Sequence, residues 1–259
     1  VADGLGQPDW EAPWYGPWRD AGQRVLRRRG EGLALHDALN GEGAAPVRFV
    51  AQSALPEGEP YERHICATGT CPTRDNLHDF FNGLCWLALP RAKRALNALQ
   101  AAEIAKAGVA PVRGPVRDAI TVFDENGAVL QAPPPVWEAL LARDWRRLFV
   151  DLRPLWRDAR LVVFGHALLE KLALPRKDLT AHVWRAPMSW TSMDELDASL
   201  AESFTADRLA AKPFTPLPVL GVPGWWAENQ NFSFYDDSLV FRPAGARNKY
   251  NSPGVAPHP

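Results

Sequence analysis

Residues 72–91 read PTRDNLHDFFNGLCWLALPR. Leu77, Phe80, Phe81, Leu84, Trp86 and Leu87 give this stretch the wide apolar stripe of a helix built for burial. It is therefore expected to be the central helix, with Phe81, Leu84 and Trp86 in the core. Thr73 is the expected N-cap, with Asp75 in the first turn and Asn76 at the third helical position. The same stretch carries Asp75, Asn76, His78, Asp79 and Asn82, which are costly on a core-bound helix unless something satisfies them. At 3.6 residues per turn, Asp75, His78, Asp79 and Asn82 fall on one face. A narrow polar strip flanked by aromatics is what a helix shows when it lines an internal polar cavity. An ordinary amphipathic surface helix is the alternative.

Outward from this helix, Pro90 separates it from a second, Ala-rich helix over residues 91–107. Upstream, residues 19–40 are helical in character, split at Gly30 and Gly32, and residues 47–55 hold a short apolar segment. Residues 61–66 are expected to be extended before a loop at 69–72. Downstream, residues 118–131 (DAITVFDENGAVLQ) read as a β-hairpin turning on Asn126-Gly127. A helix follows over 135–148, then a buried strand at 160–165 running straight into a helix at 166–172. A strand is expected at 179–184 and a helix at 192–204, with Ser192 and Glu195 as a capping box. The last expected hairpin joins 232–235 to 239–241 through Asp236-Asp237-Ser238. Residues 1–18 and 243–259 are too rich in Gly and Pro for regular structure and are expected to wrap over the surface or hang loose. With no βαβ rhythm in this order, the expectation is one α+β domain spanning residues 1–259.

Composition bounds the function. The 259 residues are 46% apolar and 23% charged, a globular balance, and the net charge of −1 offers no field for nucleic acid or an anionic membrane surface. No run of about 20 apolar residues occurs and no window resembles a signal peptide, so the expected compartment is the cytoplasm. Cys66, Cys71 and Cys85 are too few and wrongly spaced for a disulfide framework or a zinc-cysteine site. Eleven Trp imply large rings in the core or around a pocket. No GxSxG, Walker loop, HExxH or GxGxxG is present, which removes the commonest hydrolase and nucleotide-binding signatures.

The segments PTRDNLHDFFN, RGPVRDAITVFDENGA, FGHALLEKL and LPVLGVPGWWAENQNFSFYDDSLVFRP, in that order, resemble a bacterial family catalogued as domain of unknown function 3025 (DUF3025). The resemblance runs from about residue 47 to residue 247. It implies a single domain of cytoplasmic type and no activity.

The chemistry-bearing residues suggest a metal. His166 and Glu170 lie one turn apart, where imidazole and carboxylate can bind one divalent ion or the carboxylate can orient the ring. His78, His166 and Glu170 are the expected ligands of a divalent metal ion. Asp79, Asp118 and Glu170 are the catalytic candidates, Asp118 as a base or as a group steadying a ligand. Asn82, Arg117 and the pair Trp225-Trp226 are the substrate-binding candidates. Asp124 and Glu125 are read as turn residues. The leading expectation is a metal-assisted enzyme of hydrolase type, with a small molecule or another protein as its partner. The alternative is a non-catalytic binding protein whose His, Asp and Glu groups form a structural network. The two part on one distance: His78 and His166 must approach within a few ångströms to share an ion.

Overall fold

The computed structural model describes residues 8–43, 45–107, 114–186 and 190–244. Around the opening stretch the chain forms a short parallel βαβ unit. Strand β1 (Arg48–Ala51) leads through helix α3 (Tyr61–Thr68) to strand β2 (Thr70–Thr73), with Phe49 opposite Cys71. Residues 61–66, expected to be extended, are therefore helical, and the expected loop at 69–72 is mostly strand. Helices α1 (Arg19–Gly30) and α2 (Leu35–Asn40) precede this unit and split where the two glycines stand.

Helix α4 (Leu77–Ala88) is the central helix, burying Phe80, Phe81, Leu84, Cys85 and Trp86. Its N-cap is Asn76, not Thr73: the Asn76 side chain accepts from the Asp79 amide at 2.7 Å, while Thr73 ends β2. Asp75 turns away to cap α2, accepting from the Leu35 amide at 2.9 Å. Pro90 opens helix α5 (Pro90–Ala107), whose first amides at Arg91 and Ala92 are capped by the buried Asp197.

The largest departure from the sequence reading lies at residues 118–131. No hairpin forms there. Residues 115–126 are helix α6 (Pro115–Asn126), and strand β3 (Gly127–Gln131) follows without a loop. The stripe Val116, Ala119, Ile120, Phe123 has helical spacing and is buried along its length, and Pro115 stands at the first turn where its missing N–H is no loss. Gly127 is the hinge, since a Cβ there would lie 2.3 Å from the Phe123 carbonyl oxygen.

Strand β3 is buried on both faces and is central in a four-stranded mixed sheet. It runs antiparallel to β4 (Arg160–Val163) and parallel to β5 (Thr180–Arg185), and β5 pairs antiparallel with β6 (Thr215–Pro218). Between β3 and β4 the chain forms helix α7 (Pro134–Ala142) and short turns of other helix types, so the helix expected over 135–148 breaks at Arg143, whose φ of 51° is left-handed. Helix α8 (His166–Lys171) follows β4, and helices α9 (Met193–Ser203) and α10 (Ala206–Ala210) follow β5. Ser192 caps α9 as expected.

The expected last hairpin is also absent, because Phe232–Asp236 forms a 3-10 turn that buries Phe234 and Tyr235. Of the expected irregular ends, Pro13–Trp18 forms a 3-10 turn, and residues 1–7 and 245–259 lie outside the described residues. The fold is α+β, and its buried apolar side chains form one cluster running from Ala12 to Phe241. Among the described residues no helix is long and apolar enough to cross a membrane.

Candidate metal centre

Three helix ends meet at one point. His78 stands in the first turn of α4, Glu125 in the last turn of α6, and His166 opens α8. One ligand atom from each lies within 4.8 Å of the others. His78 Nε2 is 3.0 Å from His166 Nε2, and Glu125 Oε1 is 3.6 Å from His166 Nε2. With bonds near 2.1 Å to a common ion, these separations subtend roughly 90° and 120°, within reach of a distorted tetrahedral or octahedral site.

Local packing explains the meeting. Gly165 presses its backbone against that of Glu125 and Asn126, so closely that a Cβ there would lie 2.5 Å from the Glu125 carbonyl oxygen. The Gly165 amide itself bonds to the Gly127 carbonyl oxygen at 2.8 Å. The glycine thereby brings the end of α6 against the start of α8 and sets Glu125 beside His166.

His78 Nδ1 is 2.9 Å from Glu170 Oε2; a carboxylate only accepts, so Nδ1 carries a proton and Nε2 faces His166. His166 Nδ1 lies 3.7 Å from Asp124 Oδ2, so each imidazole has a carboxylate behind it and its Nε2 toward the shared point. Burial pushes the His166 pKa down to about 3; the Asp124 carboxylate opposes this, and Lys93 and His78 add to the depression. The ring is neutral at physiological pH, the form that binds metal.

Burial alone would raise the Asp124 pKa, but the Lys93 ammonium, as charge and as hydrogen-bond donor, leads the groups that hold it below its usual value. Burial and then the Asp124 charge push Glu125 upward, so a cation at the shared point would relieve it. Lys93 is itself buried and donates to Asp124 Oδ1 at 2.5 Å and to Asn82 Oδ1 at 2.9 Å.

The cluster opens onto a cavity of about 330 Å³. Tyr61, Asn82, Trp86, Lys93, Asn97 and Gln100 form much of its wall. Asp79 also faces it, fixed by the Arg74 backbone amide at 2.6 Å and its guanidinium at 2.8 and 3.1 Å.

The sequence candidates divide cleanly in space. His78, Asp79, Asn82 and His166 line the cavity together. Glu170, expected beside His166 as a ligand, stands behind His78 on its Nδ1 side; the third donor of the cluster is Glu125. Asp118 shares a helix with Glu125 but lies two turns away, about 10 Å along the axis, and pairs with Lys212 at 2.5 Å on the surface. Arg117, its buried neighbour, lines no part of this cavity. Trp225 packs on the Trp14 ring at 6.1 Å, and with Trp226 it lies partly buried against the core, away from the cavity wall. Glu125, Asp124 and Lys93 are the site residues the sequence reading missed. Glu125 and Asp124 were hidden by the hairpin reading of DENG, and the apolar spacing from Val116 to Phe123 was the signal that could have placed them on a helix.

This geometry defines an α+β protein with a two-histidine, one-carboxylate cluster at the foot of a polar cavity. The chain belongs to the family described as Protein of unknown function (DUF3025), whose family model matches residues 47–245. No curated protein and no solved structure matches it.

Proposed function

We propose that His78, Glu125 and His166 hold a divalent metal ion and that the protein is a metal-dependent enzyme of hydrolase type, working on a small molecule in the cavity above them. The observation that carries this reading is the arrangement of the two imidazoles: each turns Nε2 to a common point, with His78 Nδ1 hydrogen-bonded to Glu170 at 2.9 Å and His166 Nδ1 facing the Asp124 carboxylate at 3.7 Å. Three protein donors leave coordination positions open, the pattern of a catalytic rather than a structural site. A bound ion would supply Lewis acidity, polarising a substrate oxygen or acidifying water. The chain's own groups do the rest. Glu170 and Asp124 orient the rings, and Lys93 neutralises Asp124. Asn82, Asn97 and Gln100 offer uncharged donors and acceptors to a substrate.

Both cations on the wall are already ion-paired, Arg74 with Asp79 and Lys93 with Asp124. That pairing favours an uncharged polar substrate over a phosphate ester.

The test is elemental analysis of the purified protein beside H78A and H166A. About one equivalent of a transition metal or zinc is expected in the native chain, and none in either folded variant. A metal-free native chain that gains no stability from added Zn²⁺, Mn²⁺ or Co²⁺ would return the cluster to a structural network.

A further inference from the structure

We infer that Tyr15, which precedes the residues matched by the family model, is a positioning residue for the two ligand helices; the inference rests on the metal reading above. Tyr15 lies in the 3-10 turn Pro13–Trp18 and is fully buried. Its ring stacks on Phe81 at 5.4 Å with the planes 5° apart. Its hydroxyl donates to the Leu169 carbonyl oxygen at 2.8 Å. Phe81 is three residues after His78 on α4, and Leu169 is three residues after His166 on α8. One side chain thus grips each ligand helix about one turn behind its histidine.

The hydroxyl has a definite task. Helix α8 has only six residues, so its carbonyls are largely terminal and need partners from outside. The Leu168 and Glu170 carbonyls accept from the amides of Leu172 and Ala173, and the Leu169 carbonyl accepts from Tyr15. Leu169 also directly precedes Glu170, whose carboxylate sets the His78 ring. A phenylalanine would fill the same space; what it would lose is the tie that fixes the rotation and height of α8 against α4. Trp10 closes the arrangement from outside, tilted on the Tyr15 ring at 5.5 Å and edge-on to Phe80 at 6.3 Å.

The experiment compares Y15F with the native chain in a Co²⁺ titration followed by the visible spectrum, with far-UV circular dichroism to confirm the fold. Y235F is the matched control, because Tyr235 is another buried tyrosine whose hydroxyl donates to a carbonyl, that of Gly221 at 2.9 Å, away from the cavity. Y15F is expected to bind Co²⁺ about tenfold more weakly with an altered ligand-field spectrum, as when a group supporting a metal ligand is removed. Y235F is expected to lower the unfolding temperature and leave affinity and spectrum unchanged. If Y15F binds Co²⁺ within twofold of the native chain and with the same spectrum, Tyr15 is packing alone and the inference is wrong. A native chain that binds no Co²⁺ overturns the metal reading, and this inference with it.

Discussion

Replacing Gly165 by alanine tests the site through its packing without touching a ligand. The residue has φ −66° and ψ 115°, an extended conformation open to any amino acid, so the backbone itself imposes no penalty. The obstacle is steric. The new Cβ would stand 2.5 Å from the Glu125 carbonyl oxygen, 2.6 Å from the Asn126 nitrogen and 2.6 Å from the Glu125 carbonyl carbon. All three are main-chain atoms between a helix and a buried strand, and none can swing aside as a side-chain tip would. Ordinary contact begins at 3.4 Å, so α6 and α8 must part by about 1 Å. Overpacking of this kind costs roughly 1–3 kcal/mol, which for a chain of this size lowers the unfolding temperature by about 2–4 °C per kcal/mol.

The same displacement acts on the donors. Two ligands with bonds of about 2.1 Å can share an ion only within roughly 4.2 Å of each other. His166 Nε2 and Glu125 Oε1 already stand 3.6 Å apart, so an added 1 Å takes them beyond reach. On the proposed metal reading, G165A is therefore expected to lose both stability, by urea denaturation, and most of its metal affinity, by competition titration with a chromogenic chelator. G30A is the control. Its Cβ would meet nothing within 4 Å at the end of α1, so it should bind metal normally and be as stable or slightly more so. A G165A protein with native stability and native metal content would refute the packing account of how Glu125 and His166 are brought together.

Phe81→Ala removes a fully buried ring from the middle of α4 and is expected to cost roughly 3–5 kcal/mol by chemical denaturation; a cost below about 1 kcal/mol would mean that the core is not centred there. Replacing Cys66, Cys71 and Cys85 together by serine or alanine should leave metal content unchanged by elemental analysis, since all three are free thiols outside the donor cluster. Burial alone would raise the Glu42 pKa, but its hydrogen bonds from Arg24 and Arg28 hold it below the ordinary value. Its stabilisation is thus fully present above the unfolded pKa of about 4.3 and lost as pH falls through the lower folded value. Denaturation midpoints measured from pH 7 to pH 2 should fall less steeply below pH 4 for E42Q, and an identical slope would show that the cluster does not titrate as described. On the proposed hydrolase reading, the metal-loaded protein should turn over uncharged esters or amides in preference to phosphate esters, and the reverse order in a chromogenic substrate panel would show that Arg74 and Lys93 are free to bind anions.

What could be read from the sequence depended on whether one signal or two competed at a segment. Around Phe80–Trp86 only helical spacing fits the apolar residues, and the buried helix was legible, as was the strand-to-helix passage at His166. Between Asp118 and Gln131, turn chemistry and helical periodicity pointed to different structures. Asn-Gly is a strong hairpin signal, but it acts only when both flanks can be strands, and Ala119, Ile120 and Phe123 already shared a helix face. The same conflict hid Asp124 and Glu125, whose acidity looked like solvation of a turn. At Tyr61–Thr68 a helical face of Tyr61, His64 and Ile65 is present but spans only eight residues, too short a window for the period to stand out beside the turn at Gly69. Lys93 was invisible as a site residue because a lysine in an Ala-rich helix reads as surface. Its ion pair with Asp124, its hydrogen bond to Asn82 and its place over the Trp86 ring together explain why it is buried.

The pairing of the two histidines bears directly on whether the cluster is functional. With His78 Nδ1 protonated against Glu170, its Nε2 faces His166 Nε2 at 3.0 Å. Without an ion, one of these nitrogens must carry a hydrogen. If it is neutral His166, that ring's Nδ1 becomes an acceptor left without a donor, buried 3.7 Å from a carboxylate that cannot donate. If it is His78, that ring is an imidazolium paired with Glu170 and donating to His166 Nε2, while His166 Nδ1 keeps its proton toward Asp124, and this arrangement is a structural network. With a cation at the shared point both Nε2 lone pairs are used, and His166 Nδ1 can hold a proton facing Asp124. The Glu125 carboxylate, disfavoured as an anion by burial and by Asp124 beyond what His78, Lys93 and Lys171 offset, would gain a closer positive partner. One ion would thus satisfy both rings and Glu125 together, which is what favours the proposed metal centre over a structural network.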